Sequence, residues 1–286
     1  MKKTLAKLLS LALAGTMCAA LFTSCGSSDS DSGSGSGSAG SSDKSVIDEI
    51  KEKGVLVMGT ASGYPPYEFV DITSSDNAVV GIDVALGQAI ADDLGVELKV
   101  VDMPFSELIA NLSTGKCDIA IAGMPETEER AESVDFSDVY LSAQQSIIVK
   151  KEDAEKYTTV ASLKGASIGV EKGSVSEQVA SSEVEDVSIV SLSTVPSLIL
   201  ELDGGKIDAI CTNSIVAQQY VMNNDALDIV IPDFENNQMP AQAAVGKGNT
   251  ELLDEVNKVI KDCQDSGKFD EWVEEYSKLS NEQAQE

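Results

Sequence analysis

"GIDVALGQAIADDLGVELKVVDMPFSELIANLSTGKCDIAIAG", residues 81–123, decides the fold of this chain. Val84, Ala85, Ala89 and Leu94 recur at helical spacing, and Gly95 stops the pattern. "VELKVV" follows as a strand, "PFSELIANLSTG" as a helix ending at Gly115, and "CDIAIAG" as another strand. Upstream, "VLVMG" at 55–59 is a short apolar run ending in glycine, which reads as a buried strand. Ser45 to Lys53 before it reads as a short helix, with Ser45 as N-cap and Asp48 three residues on. Strand–helix–strand–helix–strand predicts a parallel sheet flanked by helices.

The rhythm restarts after Gln145. "SIIVKK", "ASIGV", "VSIV", "KIDAICT" and "LDIVI" read as strands, with helices at "GSVSEQVASSE", "VPSLILELDGG" and "SIVAQQYVMNN" between them. Two α/β units in tandem predict two lobes. No close repeat links them, yet "LSTGKCDIAIAG" and "LDGGKIDAICTN" echo each other: a helix end, Gly-Lys, then Asp opening a strand. From Thr250 the tail is helical, with Leu252, Leu253, Val256, Val259, Ile260 and Cys263 on one face. Phe269, Trp272, Val273, Tyr276 and Leu279 share another.

At 286 residues with 42% apolar content, the chain can bury a core over most of its length. The net charge of −28 argues against nucleic acid and against a basic membrane-binding surface. Histidine is absent, which removes His-based hydrolase triads and His-ligated zinc. Cys117, Cys211 and Cys263 are an odd set without CxxC spacing, so they read as small buried apolar residues, and neither a metal nor a cofactor is expected.

The beginning of the chain reads as a targeting segment. Lys2, Lys3 and Lys7 precede an apolar run from Leu8 to Phe22, and "TSC" follows. This resembles a bacterial lipoprotein leader over residues 1–24, with Cys25 as the lipidated, palmitate-bearing N-terminus. Phe22 stands where leucine is commoner, and Cys18 is the poorer candidate. Residues 25–44 then form a Gly/Ser-rich tether that cannot bury apolar surface. Lipid, tether and globular body place the protein outside the cytoplasm, on the outer face of the cell membrane.

Nineteen lysines and a single arginine carry the positive charge, and that arginine, Arg130, lies in "IAGMPETEERAESVDFSDVY" at 121–140. Read locally it is a surface helix residue paired with Glu126 or Glu129. A guanidinium is also a planar five-donor fork suited to a carboxylate, which an ammonium is not.

"YPPYEF", "GIDVALGQAIADDLG", "MPFSELIANLSTGKCDIAIAGM", "TEERAESVDFSDVY" and "GVEKGS" follow one another in an order and spacing that resemble the amino-acid-type extracellular solute-binding proteins of ABC importers. The resemblance runs from residue 46 to about 279. It implies a periplasmic-binding-protein (type 2) fold: an α/β protein of two lobes, each a mostly parallel sheet flanked by helices, joined by two hinge strands. Lobe 1 would be 46–144 plus 240–286 and lobe 2 145–239, with "QQSIIV" and "MPAQAAV" as the hinge strands.

The resemblance also implies a site. Arg130 would bind a ligand carboxylate, with backbone N–H groups from Gly173, Ser174 and Val175 meeting the same anion at a helix start. Tyr64 and Phe105 would sandwich the ligand side chain, and Tyr67 could line the cleft or belong to the core. Gly123 and Met124 would form the strand end that faces the ligand.

Two positions depart from the family. Pro125 stands where Ser or Thr is common, and Asn213 where an Asp pairs with the ligand ammonium. These departures favour an N-substituted amino acid or a carboxylate without an ammonium. Ala61, where binders of basic side chains often carry Asp, disfavours Lys, Arg or His. The leading expectation is a monomeric binding protein that delivers an amino acid or related carboxylate to ABC permease subunits, not an enzyme. One alternative is a cleft enzyme of the prephenate/arogenate dehydratase type, for which Glu68, Glu126 and Glu171 are the available acids. The other is a ligand-sensing ectodomain, which would need a signalling partner.

Overall fold

The rhythm read from residues 81–123 is present in the computed structural model, which describes residues 44–284. The leader, Cys25 and the tether through residue 43 lie outside the described residues. Helix α1 (Val46–Lys53) starts at Ser45, whose side chain accepts the Asp48 N–H as expected. Strand β1 (Val55–Thr60) follows, then a small hairpin of β2 (Phe69–Val70) and β3 (Val79–Val80) that the sequence pattern did not announce. Helix α2 (Ile82–Leu94) ends at Gly95 in the left-handed region. Its buried face is Ile82, Asp83, Leu86, Gly87, Ile90, Ala91 and Leu94. Of the four positions read at helical spacing Leu94 is buried, while Val84, Ala85 and Ala89 sit at the margin of the core.

β4 (Glu97–Asp102), α3 (Leu108–Ser113) and β5 (Ile119–Ala120) complete the first unit. β1 lies between β4 and β5, parallel to both. After the short α4 (Glu128–Ala131) comes β6 (Val134–Lys150). Only its end, "SIIVKK", was legible as a strand. The second unit holds β7 (Ser167–Glu171), α5 (Val175–Glu183), β8 (Ser188–Leu192), α6 (Val195–Asp203) and β9 (Ala209–Asn213), with β7 between β8 and β9 and parallel to both. α7 (Ser214–Met222), β10 (Leu227–Val230), β11 (Gln238–Gly246), α8 (Thr250–Asp265) and α9 (Lys268–Gln283) follow.

β6 joins the two units. From Val134 to Gln144 it pairs antiparallel with β11, and from Gln145 onward with β9 and β10. The strand order is therefore β4-β1-β5-β11-β6-β9-β7-β8, a parallel sheet in each lobe with the antiparallel crossing strands between. The change of partner falls at Gln144–Gln145, the start of "QQSIIV", while "MPAQAAV" is already paired within the first lobe. One core cluster packs Leu56, Ile82, Ile90, Ile119, Val256 and Phe269 in lobe 1, and another packs Ile147, Leu163, Ile168, Val170 and Val179 in lobe 2. Cys117, Cys211 and Cys263 are free thiols, all buried.

The sequence echo between the lobes is a shared device. Asp118 exchanges two bonds with Val57: its N–H donates to Val57 O at 2.8 Å and its carboxylate accepts the Val57 N–H at 2.8 Å. Asp208 does the same with Ser167, again at 2.8 Å in each direction. Asp118 additionally accepts from Lys53 Nζ at 2.6 and 2.7 Å. In each lobe the aspartate fixes the start of one parallel strand against the first strand of its unit. Asp118→Ala is expected to lower unfolding free energy by about 1–3 kcal/mol, the cost of stranding a half-buried donor and losing the Lys53 ion pair, and the exposed Asp208→Ala by less. Urea titrations of the two variants check this ordering.

Candidate functional site

The site is built where the lobes meet. In lobe 1 the loop 62–68 carries Tyr64 and Tyr67, whose rings lie 5.8 Å apart between centroids. That loop is pinned to the start of α2: Ile82 N–H donates to Pro66 O at 3.0 Å and Asp83 N–H to Tyr67 O at 2.9 Å. Gly81, at φ 135°, permits the approach; a Cβ there would lie 2.2 Å from Tyr67 O. Helix N-termini carry unsatisfied N–H groups, and α2 has no side-chain cap, so these loop carbonyls serve instead.

Asp83 reaches inward from the same turn. Its carboxylate accepts the Gly123 N–H at 2.6 Å and the Tyr140 O–H at 2.8 Å. It thereby ties the strand end that holds Gly123 and Met124 to crossing strand β6. Burial pushes Asp83 up to about 6, against the lowering effect of those donors. Glu68 lies beside it and is raised well above the usual carboxylate range, by burial first and by Asp83 second. An acid in the first turn of a helix reads as a dipole partner, which is why Asp83's inward role is not legible from its position alone.

Arg130 is 8% exposed, so the surface-helix reading fails. Thr127 caps the helical turn α4 by accepting the Arg130 N–H at 3.2 Å. The guanidinium Nη1 donates to Pro125 O at 2.6 Å, Nη2 donates to Gly173 O across the lobe boundary at 3.0 Å, and the Phe105 ring lies 5.2 Å below. Among the described residues no carboxylate forms an ion pair with it; burial lowers its pKa to about 10. A buried guanidinium held only by carbonyls and an aromatic face is poised for an anion from outside.

On the lobe 2 side Ser174 caps α5, accepting the Glu177 N–H at 3.1 Å, while Glu177 accepts the Gly173 N–H at 2.6 Å. Ser174 N–H donates to Glu171 O at 3.2 Å. Two of the three amides expected to meet an anion are thus committed within the chain, leaving that of Val175, the first residue of the helix. Asn213 caps α7: its oxygen accepts the Ile215 N–H at 2.8 Å and its amide donates to the Tyr67 hydroxyl at 3.4 Å. Tyr67 is fully buried, so it belongs to the core while its hydroxyl touches the opposite lobe. Thr212 donates to the Tyr64 hydroxyl at 3.5 Å and Tyr220 to Gly63 O at 2.8 Å, two further bonds between lobes. The structure brings Arg130 and Phe105 to Gly173, and Tyr64 and Tyr67 to Thr212 and Asn213, with Gly123 close against the two tyrosine rings; Gly173 is exposed and Ser174 and Val175 are half-buried. Glu171 lies buried at the end of β7, and that burial raises its carboxyl to about 8. Glu126 is exposed and stands apart from these acids.

Residues 56–278 match the sequence profile of the bacterial extracellular solute-binding proteins, family 3. The arginine-binding extracellular protein ArtP of Bacillus subtilis (strain 168) is 35% identical over 226 residues, covering 76% of this chain and 84% of that protein. The L-cystine-binding protein TcyJ of Escherichia coli (strain K12) is 29% identical over 226 residues, with 79% and 83% covered. Among solved structures, the amino acid ABC transporter substrate-binding protein AbpA from Streptococcus pneumoniae Canada MDR_19A, bound to L-arginine, matches with a TM-score of 0.79 at 36% identity. That match covers 82% of this chain and 98% of the other. The ancestral amino-acid-binding protein AncCDT-1, described as a precursor of cyclohexadienyl dehydratase, matches with a TM-score of 0.74 at 34% identity, over 82% and 99%.

Proposed function

Because this chain belongs to the bacterial extracellular solute-binding proteins of family 3, we propose that it captures an amino acid between its lobes and delivers it to the permease subunits of an ABC importer. The observation that carries this reading is the buried Arg130, bonded to carbonyls from both lobes and matched by no carboxylate among the described residues. An α-carboxylate would take over those two donors and hold both lobes at once. Val175 N–H and the Ser174 cap would complete the anion end. Phe105 and Tyr64 would pack the ligand's side chain, and Gly123, Met124, Tyr67 and Asn213 would shape the ammonium end. Asn213 has little spare capacity there, since its oxygen already caps α7.

The working division is 46–144 with 240–286 as one lobe and 145–239 as the other, pivoting at Gln144–Gln145 and the start of β11. Cys25 would carry a palmitate-bearing lipid anchor on the outer face of the cell membrane, with the body acting as a monomer on its tether. Among the described residues no helix is long and apolar enough to cross a membrane.

A panel of amino acids, N-modified amino acids and simple carboxylates, headed by arginine, cystine and glutamine, tests the reading by thermal unfolding of the full chain in detergent. A ligand at a hundred times its Kd adds about 2.7 kcal/mol to native stability. At least one amino acid is expected to raise Tm by several degrees; a flat response across the panel would remove the proposal. A second reading rests on Glu171, buried at the end of β7, whose carboxyl at about 8 would stay protonated as a general acid. Aromatisation of prephenate or arogenate by the purified protein would favour that reading.

A further inference from the structure

We infer that Asp83 and Gln242 are positioning residues for ligand capture: from two sides they fix residues 123–126, the segment whose Pro125 carbonyl aims the guanidinium of Arg130. This rests on the reading of Arg130 as the clamp for the ligand carboxylate. β5 ends at Ala120, and the chain then runs to the turn α4 as irregular structure. Ile121 is still held by β1: its N–H donates to Gly59 O at 3.1 Å and its carbonyl accepts the Thr60 hydroxyl at 2.8 Å. Beyond it the anchors change. Gly123 N–H donates to Asp83 Oδ2 at 2.6 Å. Met124 O accepts the Gln242 N–H at 3.0 Å, and Glu126 N–H donates to Gln242 Oε1 at 3.1 Å. Pro125 lies between these holds, and its carbonyl accepts Arg130 Nη1 at 2.6 Å.

Both anchors are themselves tied down. Asp83 N–H donates to Tyr67 O at 2.9 Å, and Asp83 Oδ1 accepts the Tyr140 hydroxyl at 2.8 Å. Gln242, on β11, donates through Nε2 to Ser137 O of β6 at 2.8 Å. The residue types match these tasks. Gly123 and Tyr140 both donate, so the side chain between them must accept twice, which a carboxylate does and an amide does not. Glu126 donates while Ser137 O accepts, so there an amide fits and a carboxylate does not. Asp83 is fully buried and Gln242 nearly so, and both work through the segment without touching a ligand.

The segment needs outside anchors because of what it carries. Arginine reaches its guanidinium on a long flexible stem, and a planar fork gains affinity for a carboxylate when its direction is set beforehand. Pro125 offers the carbonyl that sets it, yet has no N–H with which to hold its own place. Gly123 leaves little room for drift: at φ 52° a Cβ there would lie 3.1 Å from the Tyr64 ring.

The test has one arm without ligand and one with it, both on the full chain in detergent. As the only arginine, Arg130 gives a single Nε–Hε signal in nitrogen-15 NMR. Asp83→Leu and Gln242→Leu are each expected to shift that signal in protein that remains folded by circular dichroism. In calorimetry with arginine, cystine and glutamine, each substitution is expected to weaken the amino acids that bind by at least about tenfold. Combined with Arg130→Lys, either is expected to cost no more than about threefold further, since no guanidinium is left to aim. An unmoved Arg130 signal would overturn the inference. So would losses that add in full to that of Arg130→Lys, or a lowered Tm with affinity within about threefold of wild type. If Arg130→Lys alone leaves affinity unchanged, the carboxylate-clamp reading falls, while the NMR signal still decides whether Asp83 and Gln242 place the guanidinium. Should a leucine variant fail to fold, Asp83→Asn and Gln242→Glu, each keeping the shape and exchanging one bond, are read by the same signal.

Discussion

Arg130→Lys is expected to weaken binding of the cognate amino acid by at least about 100-fold, or roughly 2.7 kcal/mol. The guanidinium donates in two directions at once, to Pro125 O and to Gly173 O, and lies over Phe105. An ammonium on a flexible stem cannot present two parallel donors to a carboxylate or stack flat on the ring. Folding is not expected to suffer in proportion, because a buried guanidinium with no counter-ion among the described residues is costly to the unliganded protein. Calorimetry and unliganded Tm together check this separation. Affinity within about threefold of wild type would show that the carboxylate is held elsewhere.

The second large effect is on the scaffold. Gly81→Ala is expected to destabilise the protein by about 3–5 kcal/mol and lower Tm by about 10 °C. Gly81 has φ 135° and ψ −179°, a region that only glycine occupies readily, and a Cβ would sit 2.2 Å from the backbone oxygen of Tyr67. Relief would require moving the 62–68 loop off α2, losing the bonds that Pro66 O and Tyr67 O make to the helix. Tyr64 and Tyr67 travel with that loop, so ligand binding should fall along with stability. Gly115→Ala is the control: φ is 71° but nothing lies within 4 Å, so only the conformational penalty of about 1 kcal/mol applies. Equal losses at the two glycines would contradict the role given to Gly81.

Much of the fold was legible because it is local. Ser45 as N-cap, Gly95 as stop and the Gly-Lys-x-Asp strand openings depend on neighbours a few residues away. The first part of β6 was not legible, because "VDFSDVY" mixes polar and apolar residues and becomes a strand by pairing with β11, about a hundred residues later. The inward face of α2 was not legible for a related reason. Gly87 and Asp83 point inward, one to admit Met58 and the other to hold Gly123 and Tyr140, and neither looks like a core residue on its own. At the site, Arg130 stood out by being unique in composition. Asp83 did not, and Glu171 was visible only as one of three available acids, beside Glu68 and Glu126. Burial decides the chemistry of a carboxylate, and burial here depends on lobes distant in sequence coming together.

The most direct measurement compares each amino acid that stabilises the protein with its decarboxylated amine, by calorimetry of the full chain. For arginine that partner is agmatine, which keeps the guanidinium and loses only the α-carboxylate. If Arg130 clamps the carboxylate between the lobes, the amine binds at least about 100-fold more weakly, and Arg130→Lys abolishes most of that difference. An amine that binds as tightly as its amino acid would contradict the account.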